Sequence, residues 1–346
     1  MKIIDDWYLE NLVCPQDKTA LNLVDNNLVS QSGNSYSIVN GIPIMLLNNV
    51  KQTIELANNS LTDSKVINDS DPYFINTLGI TEDEKQQLRK YVCTQEIINF
   101  SVDPIVQFLV GATNGILYSE NIANLSRLPI PEIKLPPGNG KQLLDIGCGW
   151  GRWCIAGTYK KYRCVGIDPS LGAVLAGRRI ADKLGLDIKF VVGDARYLPF
   201  NSSQFDQVFS YSVIQHFSKS DAKSTFQEIA RILKPNATSL IQMPNSWGIR
   251  SLQHLIKRGF SEGKNFDVRY WGIQELLTCF TKEIGDSTVS IDGFFGLGIQ
   301  KSDIDLLPLK YKLVVRASES LKILSLLIPF LKYVADSVYI KSTKSI

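Results

Sequence analysis

The sequence predicts an α/β fold: a doubly wound, mostly parallel sheet, preceded by a small β module and accompanied by helical cap elements. From residue 141 onward, short apolar segments alternate with helix-length segments, a pattern typical of a parallel sheet covered on both faces. Before residue 48, short β-prone segments are separated by Asn and Gly turn signals. A glycine-rich turn directly after the first strand of the sheet predicts a ligand site at the carboxyl ends of the strands.

The first 140 residues contain the β module and the cap. We expect a β module over 1–47, with strands at 21–24, 27–30 and 36–39, a turn at 40–43 and an apolar run at 44–47. A linker and helical cap follow over 48–140, where Thr81 and Glu84 have capping-box spacing and begin a helix over 81–100. A second helix starts at Asp103-Pro104 and ends near Asn114-Gly115, and the proline-rich stretch 128–137 is extended.

Residues 141–346 supply the sheet and two insertions. The predicted strands are 143–146, 164–167, 188–192, 207–210, 239–242 and 337–340, and the predicted helices start at Arg152 or span 173–184 and 221–233. We expect the insertions, at about 246–271 and 301–335, to select a second ligand. Within the second, the apolar stretch 321–334 predicts a buried helix broken at Pro329, with contact to a membrane surface as the alternative.

Composition and targeting signals limit the possible classes. The 346 residues include 37 Lys and Arg against 34 Asp and Glu, a formal charge of +3, and 44% are hydrophobic. Such apolar content can bury a core, and the near-neutral charge argues against wholesale coating of nucleic acid. The acidic N-terminus lacks the pattern of a secretory signal, no apolar run is long enough to span a membrane, and the six cysteines form no CxxC pair. We therefore expect a cytoplasmic protein with reduced thiols.

A glycine turn follows the first strand of the sheet. Gly147, Gly149 and Gly151 form G-x-G-x-G, and glycine permits positive φ and lets a ligand approach the backbone closely. A dinucleotide fingerprint, G-x-G-x-x-G, would need a small residue where this chain has Arg152. An oxidoreductase is therefore disfavoured.

Acidic residues mark the ends of the first three strands. Asp145 lies inside the end of the first strand, Asp168 ends the second, and Asp194 follows the third. A carboxylate at Asp168 can accept both hydroxyl protons of a ribose, and one at Asp194 can accept a proton from an adenine amino group. Each acid alone is more simply explained as a strand-end or cap carboxylate. Three in succession beside a glycine turn predict a nucleoside site.

These motifs resemble those of class I S-adenosylmethionine-dependent methyltransferases. LLDIGCGWGRW (143–153) looks like the first motif, GIDPS (166–170) the second, GDARYLPF (193–200) the third, and FDQVFSYSVIQHF (205–217) the fourth. ARILKPNATSLIQMPN (230–245) looks like the fifth, although Asn236-Ala237 replaces the usual paired glycines of a turn. The subfamily acting on small molecules and lipids fits best, and the resemblance implies a Rossmann-like sheet of seven strands.

The resemblance also implies S-adenosyl-L-methionine as the cofactor and a role for each motif residue. The implied cofactor contacts are the first-motif residues Asp145, Gly147, Gly149 and Gly151 at the methionine part, Asp168 at the ribose, Asp194 with the Ala195 amide at the adenine, and Ser210 and Tyr211 beside the sulfonium. His216 is the candidate general base, needed only if the acceptor must lose a proton, and a packing or helix-start role is its alternative. Tyr211 and Gln215 are candidates for binding the acceptor, and His254 is expected on a covering helix.

The acceptor is expected to be a small molecule, lipid-like or sugar-linked. The segment after the fourth strand reads Ser-Tyr-Ser-Val (210–213) and lacks the Asn/Asp-Pro-Pro-Tyr/Phe motif of enzymes that methylate amino nitrogens of adenine or glutamine. Methylation of RNA or protein, or an inactive cofactor-binding scaffold, are the alternatives. The methylated atom and the oligomeric state stay open.

The first 47 residues are similar to the small zinc-ribbon-like domain that activates certain tRNA and translation-factor methyltransferases. Its Cys-Pro-x-Cys is here Cys14-Pro15-Gln16-Asp17, and its later cysteine positions fall near residues 30–34, which hold no thiol. We therefore expect no metal and a structural module. Its edge over 41–47 is expected to dock on the catalytic domain rather than on a partner.

Overall fold

The computed structural model of the protein describes residues 3–65, 71–98, 102–114, 125–296 and 298–345. Its helices are α1 Asp6–Asn11, α2 Glu55–Asp63, α3 Glu82–Ile98, α4 Pro104–Asn114, α5 Arg152–Tyr159, α6 Leu171–Lys183, α7 Lys219–Ile232, α8 Ile249–Lys257, α9 Ile273–Glu283 and α10 Leu309–Leu324. Its strands are β1 Leu21–Val24, β2 Asn27–Ser30, β3 Ser35–Val39, β4 Ile42–Pro43, β5 Gln142–Ile146, β6 Arg163–Asp168, β7 Lys189–Val192, β8 Phe205–Ser210, β9 Leu233–Pro244, β10 Gly285–Gly293 and β11 Ser337–Lys344.

The larger sheet has seven strands in the order β10-β11-β9-β8-β5-β6-β7. Strands β5 to β9 run parallel, and β11 pairs antiparallel with both β9 and β10. This confirms the predicted mostly parallel, doubly wound sheet of seven strands. The carboxyl ends of the parallel strands therefore lie at one edge of the sheet, where the motif residues were predicted to meet.

Two strands differ from the prediction. Strand β10 was not predicted, because its residues alternate between partly buried and exposed and its sequence, GDSTVSIDG, has few apolar side chains. Strand β9 begins at Leu233, well before the predicted 239, because Leu233 pairs with Phe205 at the start of β8. Both strands are defined by pairing with their neighbours rather than by their own sequence.

The N-terminal module is a four-stranded antiparallel sheet, β1-β2-β3-β4. The predicted turn over 40–43 is shorter than expected: Asn40 and Gly41 have positive φ, while Ile42 and Pro43 already form β4. Two-residue hairpin turns of this kind need positive φ at both positions, which Asn and Gly tolerate.

The module covers the outer edge of the large sheet. The Met45 amide donates to the Val192 carbonyl at 2.7 Å, at the end of the edge strand β7. On the same strand, the Tyr8 hydroxyl donates to the Phe190 carbonyl at 3.0 Å and accepts from the Phe190 amide at 3.1 Å. Residues 44–47 are all buried, as expected for an edge that docks within the same chain. Covering the edge strand also removes a site for intermolecular pairing.

The cap helices begin where the sequence predicted. The Thr81 amide donates to Glu84 Oε2 at 2.8 Å and the Glu84 amide donates to Thr81 Oγ1 at 3.3 Å, which is a capping box at the start of α3. Asp103 caps α4 by accepting from the Ile105 amide at 2.9 Å, and its other oxygen accepts from Arg179 Nε on α6 at 2.7 Å. Residues 99–100, at the end of the first predicted helix, and Gly115, at the end of the second, lie outside the described residues.

The C-terminal insertion corrects one expectation. Helix α10 ends at Leu324, and a short 3-10 helix, Pro329–Val334, follows. The stretch 321–334 was predicted to be buried, yet most of its apolar side chains are exposed, since no described element packs over its outer face. Within the described chain, no helix is long and apolar enough to cross a membrane.

Candidate functional site

The carboxyl ends of β5 to β8 open into a cavity of about 1960 Å³. Small-ligand sites commonly measure roughly 300–1,000 Å³, so this cavity has room for more than one ligand. The candidate cofactor and acceptor residues that line it include Gly147, Gly149, Asp168, Asp194, Ala195, Tyr211, Gln215 and His216. Both insertions also contribute to its wall, so strand ends and insertions enclose one continuous space.

The glycine turn needs its glycines for conformation. Gly147, Gly149 and Gly151 have φ values of +73°, +52° and +80°, a region that other residues rarely adopt. A Cβ at Gly147 would also collide with the Val213 side chain. The turn is therefore fixed by backbone geometry and by close approach of the segment after β8.

The amides of this turn bond to the protein itself. The Gly147 and Cys148 amides both donate to the Ile167 carbonyl, at 2.8 and 3.1 Å, and the Gly149 amide donates to Asp168 Oδ2 at 2.9 Å. Phosphate-binding turns direct such N–H groups at the anion. Because these amides already have acceptors, they are not directed at a phosphate, which agrees with Arg152 in disfavouring a dinucleotide.

Asp168 is positioned at the cavity wall by two backbone amides. Its Oδ1 accepts from the Ser170 amide and its Oδ2 from the Gly149 amide, each at 2.9 Å. Burial raises the pKa of Asp168, and the two hydrogen bonds oppose that shift. A carboxylate oxygen has two lone pairs, so each oxygen can still accept a hydroxyl proton from a ligand.

Asp194 reaches the cavity but is engaged in an ion pair that the sequence analysis missed. Arg196 Nη2 donates to Asp194 Oδ2 at 2.7 Å, and Arg196 Nε donates to Oδ1 at 3.2 Å. Arg196 also binds Asp221 Oδ1 of α7 at 3.0 Å. An adenine amino group at Asp194 would therefore share the carboxylate with Arg196. The position of Arg196 two residues after the acid was the available signal.

Three predicted contact residues lie behind the wall rather than in it: among the described residues that line the cavity, Asp145, Gly151 and Ser210 are absent. The Ser210 hydroxyl donates to the Ile146 carbonyl at 2.9 Å and so joins β8 to β5. Gly151 directly precedes α5 and closes the glycine turn by donating its amide to the Cys148 carbonyl at 2.8 Å. All three residues thus lie next to the cavity wall, and their contact with the cofactor stays a prediction.

Asp145 is the most buried acid of this group. Cys154 Sγ donates to its Oδ2 at 3.4 Å, while its Oδ1 has no hydrogen-bond partner among the described residues. Burial raises the pKa of Asp145 to about 7, because a charged carboxylate loses its hydration there. Asp145 therefore lies beneath the turn, and burial makes ionisation of its carboxyl group unfavourable.

Tyr211, which directly follows β8 and packs its ring on that of Trp153 at 4.9 Å, belongs to a network that the sequence did not indicate. Its hydroxyl donates to Asp292 Oδ2 at 2.9 Å and accepts from Gln300 Nε2 at 2.7 Å. Asp292 also accepts from Ser337 Oγ at 2.7 Å and pairs with Lys134 Nζ at 3.1 Å. These partners come from segments without a motif and are widely spaced along the chain, so no local pattern could identify them.

His216 also lies in the cavity wall, held by the first insertion. Its Nδ1 lies 2.7 Å from the Phe266 carbonyl, which can only accept, so Nδ1 carries the proton. Its Nε2 is then the acceptor of a hydrogen bond from Gln215 Nε2 at 3.2 Å, and its ring stacks on that of Phe266 at 3.8 Å. Burial lowers the pKa of His216, which favours the neutral imidazole. His254 lies on α8, a covering helix as expected, with Tyr270 Oη 3.3 Å from Nδ1.

A buried ion pair ties the glycine turn to the second insertion. Arg152, the first residue of α5, binds Asp303 Oδ2 at 2.9 Å, and the Asp303 side chain is fully buried. Arg127 Nη1 lies 3.7 Å from the other Asp303 oxygen. The residue that breaks the dinucleotide fingerprint therefore anchors the segment 301–306.

In the N-terminal module, the positions that resemble a zinc site are close together but linked by hydrogen bonds. Asp17 accepts from the Ser32 hydroxyl and from the Thr19 amide, and hydrogen bonding to these groups lowers its pKa. Asn34 Nδ2 donates to Cys14 Sγ at 3.6 Å. Across the described parts of the chain, no three His, Cys, Asp or Glu side chains cluster as metal ligands would. The expectation of a metal-free module stays a prediction.

Comparison with known proteins places the motifs in a family. Residues 143–236 match a family model described as a methyltransferase domain. The chain is 36% identical over 110 residues to norajmaline N-methyltransferase of Rauvolfia serpentina, which is 31% of this chain and 37% of that protein. It is 34% identical over 98 residues to fatty-acid O-methyltransferase of Mycolicibacterium smegmatis, which is 28% of this chain and 34% of that protein. The similarity thus spans little more than a third of these relatives.

Among solved structures, the chain is similar to phosphoethanolamine N-methyltransferase 2 of Haemonchus contortus in complex with S-adenosyl-L-methionine. The TM-score is 0.43 at 18% identity, covering 70% of this chain and 56% of that one. The sequence match lies over β5 to β9, where the glycine turn, Asp168 and Asp194 meet at one cavity. Residues 143–236 therefore match a methyltransferase domain.

Proposed function

We propose that the protein transfers a methyl group from S-adenosylmethionine to a small, lipid-like or sugar-linked molecule. The observation that carries this proposal is the single cavity that joins the ends of β5, β6 and β7 to Tyr211 and His216. When bound, the cofactor supplies a methyl group already activated on a sulfonium, so the protein has mainly to align a nucleophile. Candidate cofactor and acceptor residues that line one cavity suit that task.

The residues at the strand ends fit this cofactor. Asp168 keeps a lone pair on each oxygen, which would accept from the two ribose hydroxyls, and Asp194 with the Ala195 amide would hold the adenine. The amides of Gly147 and Gly149 are already bonded within the protein, which suits the methionine part of a cofactor that has no phosphate. Asp145 does not line the cavity and would stabilise the turn that contacts the cofactor.

Beside the fourth strand, His216 is a group able to accept a proton. Its Nε2 carries the lone pair, and the Phe266 carbonyl holds the ring in that tautomer. Gln215 would have to release Nε2 before an acceptor could bind there, since its amide now donates to that atom at 3.2 Å. For an acceptor that is already ionised or a free amine, His216 would position the substrate instead.

A small-molecule acceptor is supported by the size of the cavity and by the names of the matched relatives. Room beyond one ligand lies between the strand ends and the two insertions, which are rich in aromatic and apolar residues. The relatives are named for norajmaline and for fatty acids, which are not macromolecules.

Calorimetry tests the cofactor. We expect S-adenosylmethionine and its demethylated product to bind with micromolar affinity, which corresponds to a binding free energy of about 8 kcal/mol. Asp168→Ala should weaken binding by about 100-fold, because hydrogen bonds to a charged group contribute about 1.5–3 kcal/mol each. Asp182→Ala removes a carboxylate that lies on the exposed side of α6 and pairs with Arg178, and it should bind like the wild type. A preference for NAD, or no effect of Asp168→Ala, would contradict the proposal.

Methyl-labelled cofactor tests the acceptor. The protein should transfer label to molecules in a metabolite or lipid extract, and His216→Ala should lose most of that transfer when the acceptor needs deprotonation. Label appearing only in RNA or protein would contradict a small-molecule acceptor. Tight cofactor binding with no transfer to any of these pools would favour the inactive scaffold.

A further inference from the structure

The acceptor side of the cavity is bordered by a helix whose apolar face points outward. On α10, Leu309, Leu313 and Ile323 are exposed, and their spacing of 4 and 10 residues places them on one face. The opposite face contributes Val315, Ser318 and Lys322 to the cavity wall. A surface helix normally buries its apolar face, so this arrangement calls for a partner outside the fold.

The exposed face continues into an apolar tip, residues 326–330, Leu-Leu-Ile-Pro-Phe. Leu326 and Leu327 are 80% and 81% exposed and Phe330 is 68% exposed. Single exposed apolar residues are ordinary, but a run of consecutive ones marks an interaction site. None of these three side chains lines the cavity, so the tip is not part of the acceptor pocket in the described structure.

Helix α8 has the same arrangement beside it. Ile249 and Ile256 are exposed, and Phe260 just after the helix is exposed as well, while Arg250 and His254 line the cavity.

Hydrogen bonds join the start of α8 to the segment that follows the tip. Asn245, shortly before α8, donates from Nδ2 to the Tyr333 carbonyl at 2.8 Å, and Asp336 Oδ1 accepts from the Arg250 amide at 2.7 Å. The start of α8 is therefore held against the end of the segment that carries the tip.

Basic residues outnumber acidic residues around this surface. Over 309–334 the chain has Lys310, Lys312, Arg316, Lys322 and Lys332 against the single acid Glu319. Lys322 pairs with Glu319 at 2.6 Å, which leaves an excess of basic residues around the apolar face. Apolar side chains flanked by Lys and Arg are typical of elements that lie in a bilayer interface, where the apolar groups enter the acyl boundary and the cations bind anionic headgroups.

We propose that α10, the tip 326–330 and the exposed face of α8 dock on the surface of an anionic lipid bilayer. The apolar side chains would enter the interface, and Lys310, Lys312, Arg316 and Lys332 would bind the headgroups. Since the opposite faces of both helices line the cavity, docking places the cavity wall next to the membrane surface. This inference rests on exposure and charge and does not depend on methyl transfer.

Vesicle co-sedimentation tests the proposal with the full chain. The protein should sediment with vesicles of phosphatidylcholine and phosphatidylglycerol, and bind phosphatidylcholine alone much more weakly. Leu326→Glu with Leu327→Glu should lower binding at least about tenfold, because burying each leucine contributes about 1.5–3 kcal/mol. The matched control is Leu23→Glu with Val24→Glu, two half-exposed apolar residues on β1, which should bind like the wild type.

Other outcomes would overturn the proposal. Failure of the wild type to bind the anionic vesicles would contradict it. Equal binding by the Leu326 and Leu327 double variant would also contradict it, provided that the melting temperature of the variant matches that of the wild type. Light scattering that finds a dimer broken by the same double substitution, with no vesicle binding, would assign the surface to a second copy of the chain. None of these measurements uses the cofactor, so they fail or succeed separately from the methyltransferase proposal.

Discussion

The two sides of the cavity are built in different ways. On the cofactor side, Gly147, Asp168 and Asp194 come from three successive strand ends within a stretch of fewer than 50 residues. On the acceptor side, Tyr211 contacts Asp292 and Gln300, more than 80 residues further along the chain. Residues 50–56 also line the cavity, and α8 and α10, which have exposed apolar side chains, contribute to its wall as well.

This difference shows how much of a site local sequence can specify. Parallel strands end at one edge of a sheet, so residues at consecutive strand ends meet without further information. The acceptor side depends on where β10 and the insertions pack, which is decided by contacts distant in sequence. The Arg152–Asp303 pair joins the two sides and offers the most direct way to separate them.

The largest effect is expected from Asp303→Ala. It would leave Arg152 buried without its carboxylate, and breaking a buried pair costs about 3–5 kcal/mol of unfolding free energy. Chemical denaturation measures this cost. The control is Asp182→Ala, which breaks an exposed pair with Arg178 and should cost at most about 1 kcal/mol. Equal losses in the two variants would show that the two sides are not coupled through this pair.

A second prediction concerns the cofactor side alone. Burial raises the pKa of Asp145 from 3.8 to about 7. The folded state then binds more protons than the unfolded state between about pH 4 and 7, so this group lowers the free energy of unfolding as pH rises through that window. The total decrease in the free energy of unfolding across this window is at most about 4 kcal/mol.

Asp145→Asn should remove that pH dependence. Denaturant titrations at pH 5 and pH 8 should show the variant gaining stability relative to the wild type at the higher pH. Asp182→Asn, a change at an exposed carboxylate, provides the matched control and should parallel the wild type. Parallel curves for Asp145→Asn as well would mean that its carboxylate is not penalised by burial.

The smallest effect in free energy is expected on the acceptor side. If His216 is a general base, His216→Ala should lower turnover by about 100-fold and leave cofactor affinity within a factor of a few. Burial lowers the pKa of His216, so the wild-type rate should rise with pH and level off below the ordinary histidine pKa of 6.5. The His216→Ala variant should lack this rise of the rate with pH. Normal turnover with an unchanged pH–rate profile would assign His216 to packing on Phe266.

The sequence predicted elements whose signals are local. The Thr81–Glu84 capping box and the strands β1 and β2 have the predicted bounds, because caps and short alternating strands are encoded by neighbouring residues. Strand β10 was missed because its pattern makes sense only beside β11. The stretch 321–334 was assigned wrongly because an apolar sequence does not reveal whether anything covers it.

At the candidate site the same division holds. The sequence by itself determined the doubly wound sheet, the glycine turn and the acids at its strand ends, since periodicity and glycine conformation act over a few residues. Only the tertiary structure decided that Asp145 and Ser210 lie behind the cavity wall. It also decided that Arg196 pairs with Asp194 and that Asp292 accepts a hydrogen bond from Tyr211. Side-chain direction and partner choice depend on packing between distant segments, which no local pattern contains.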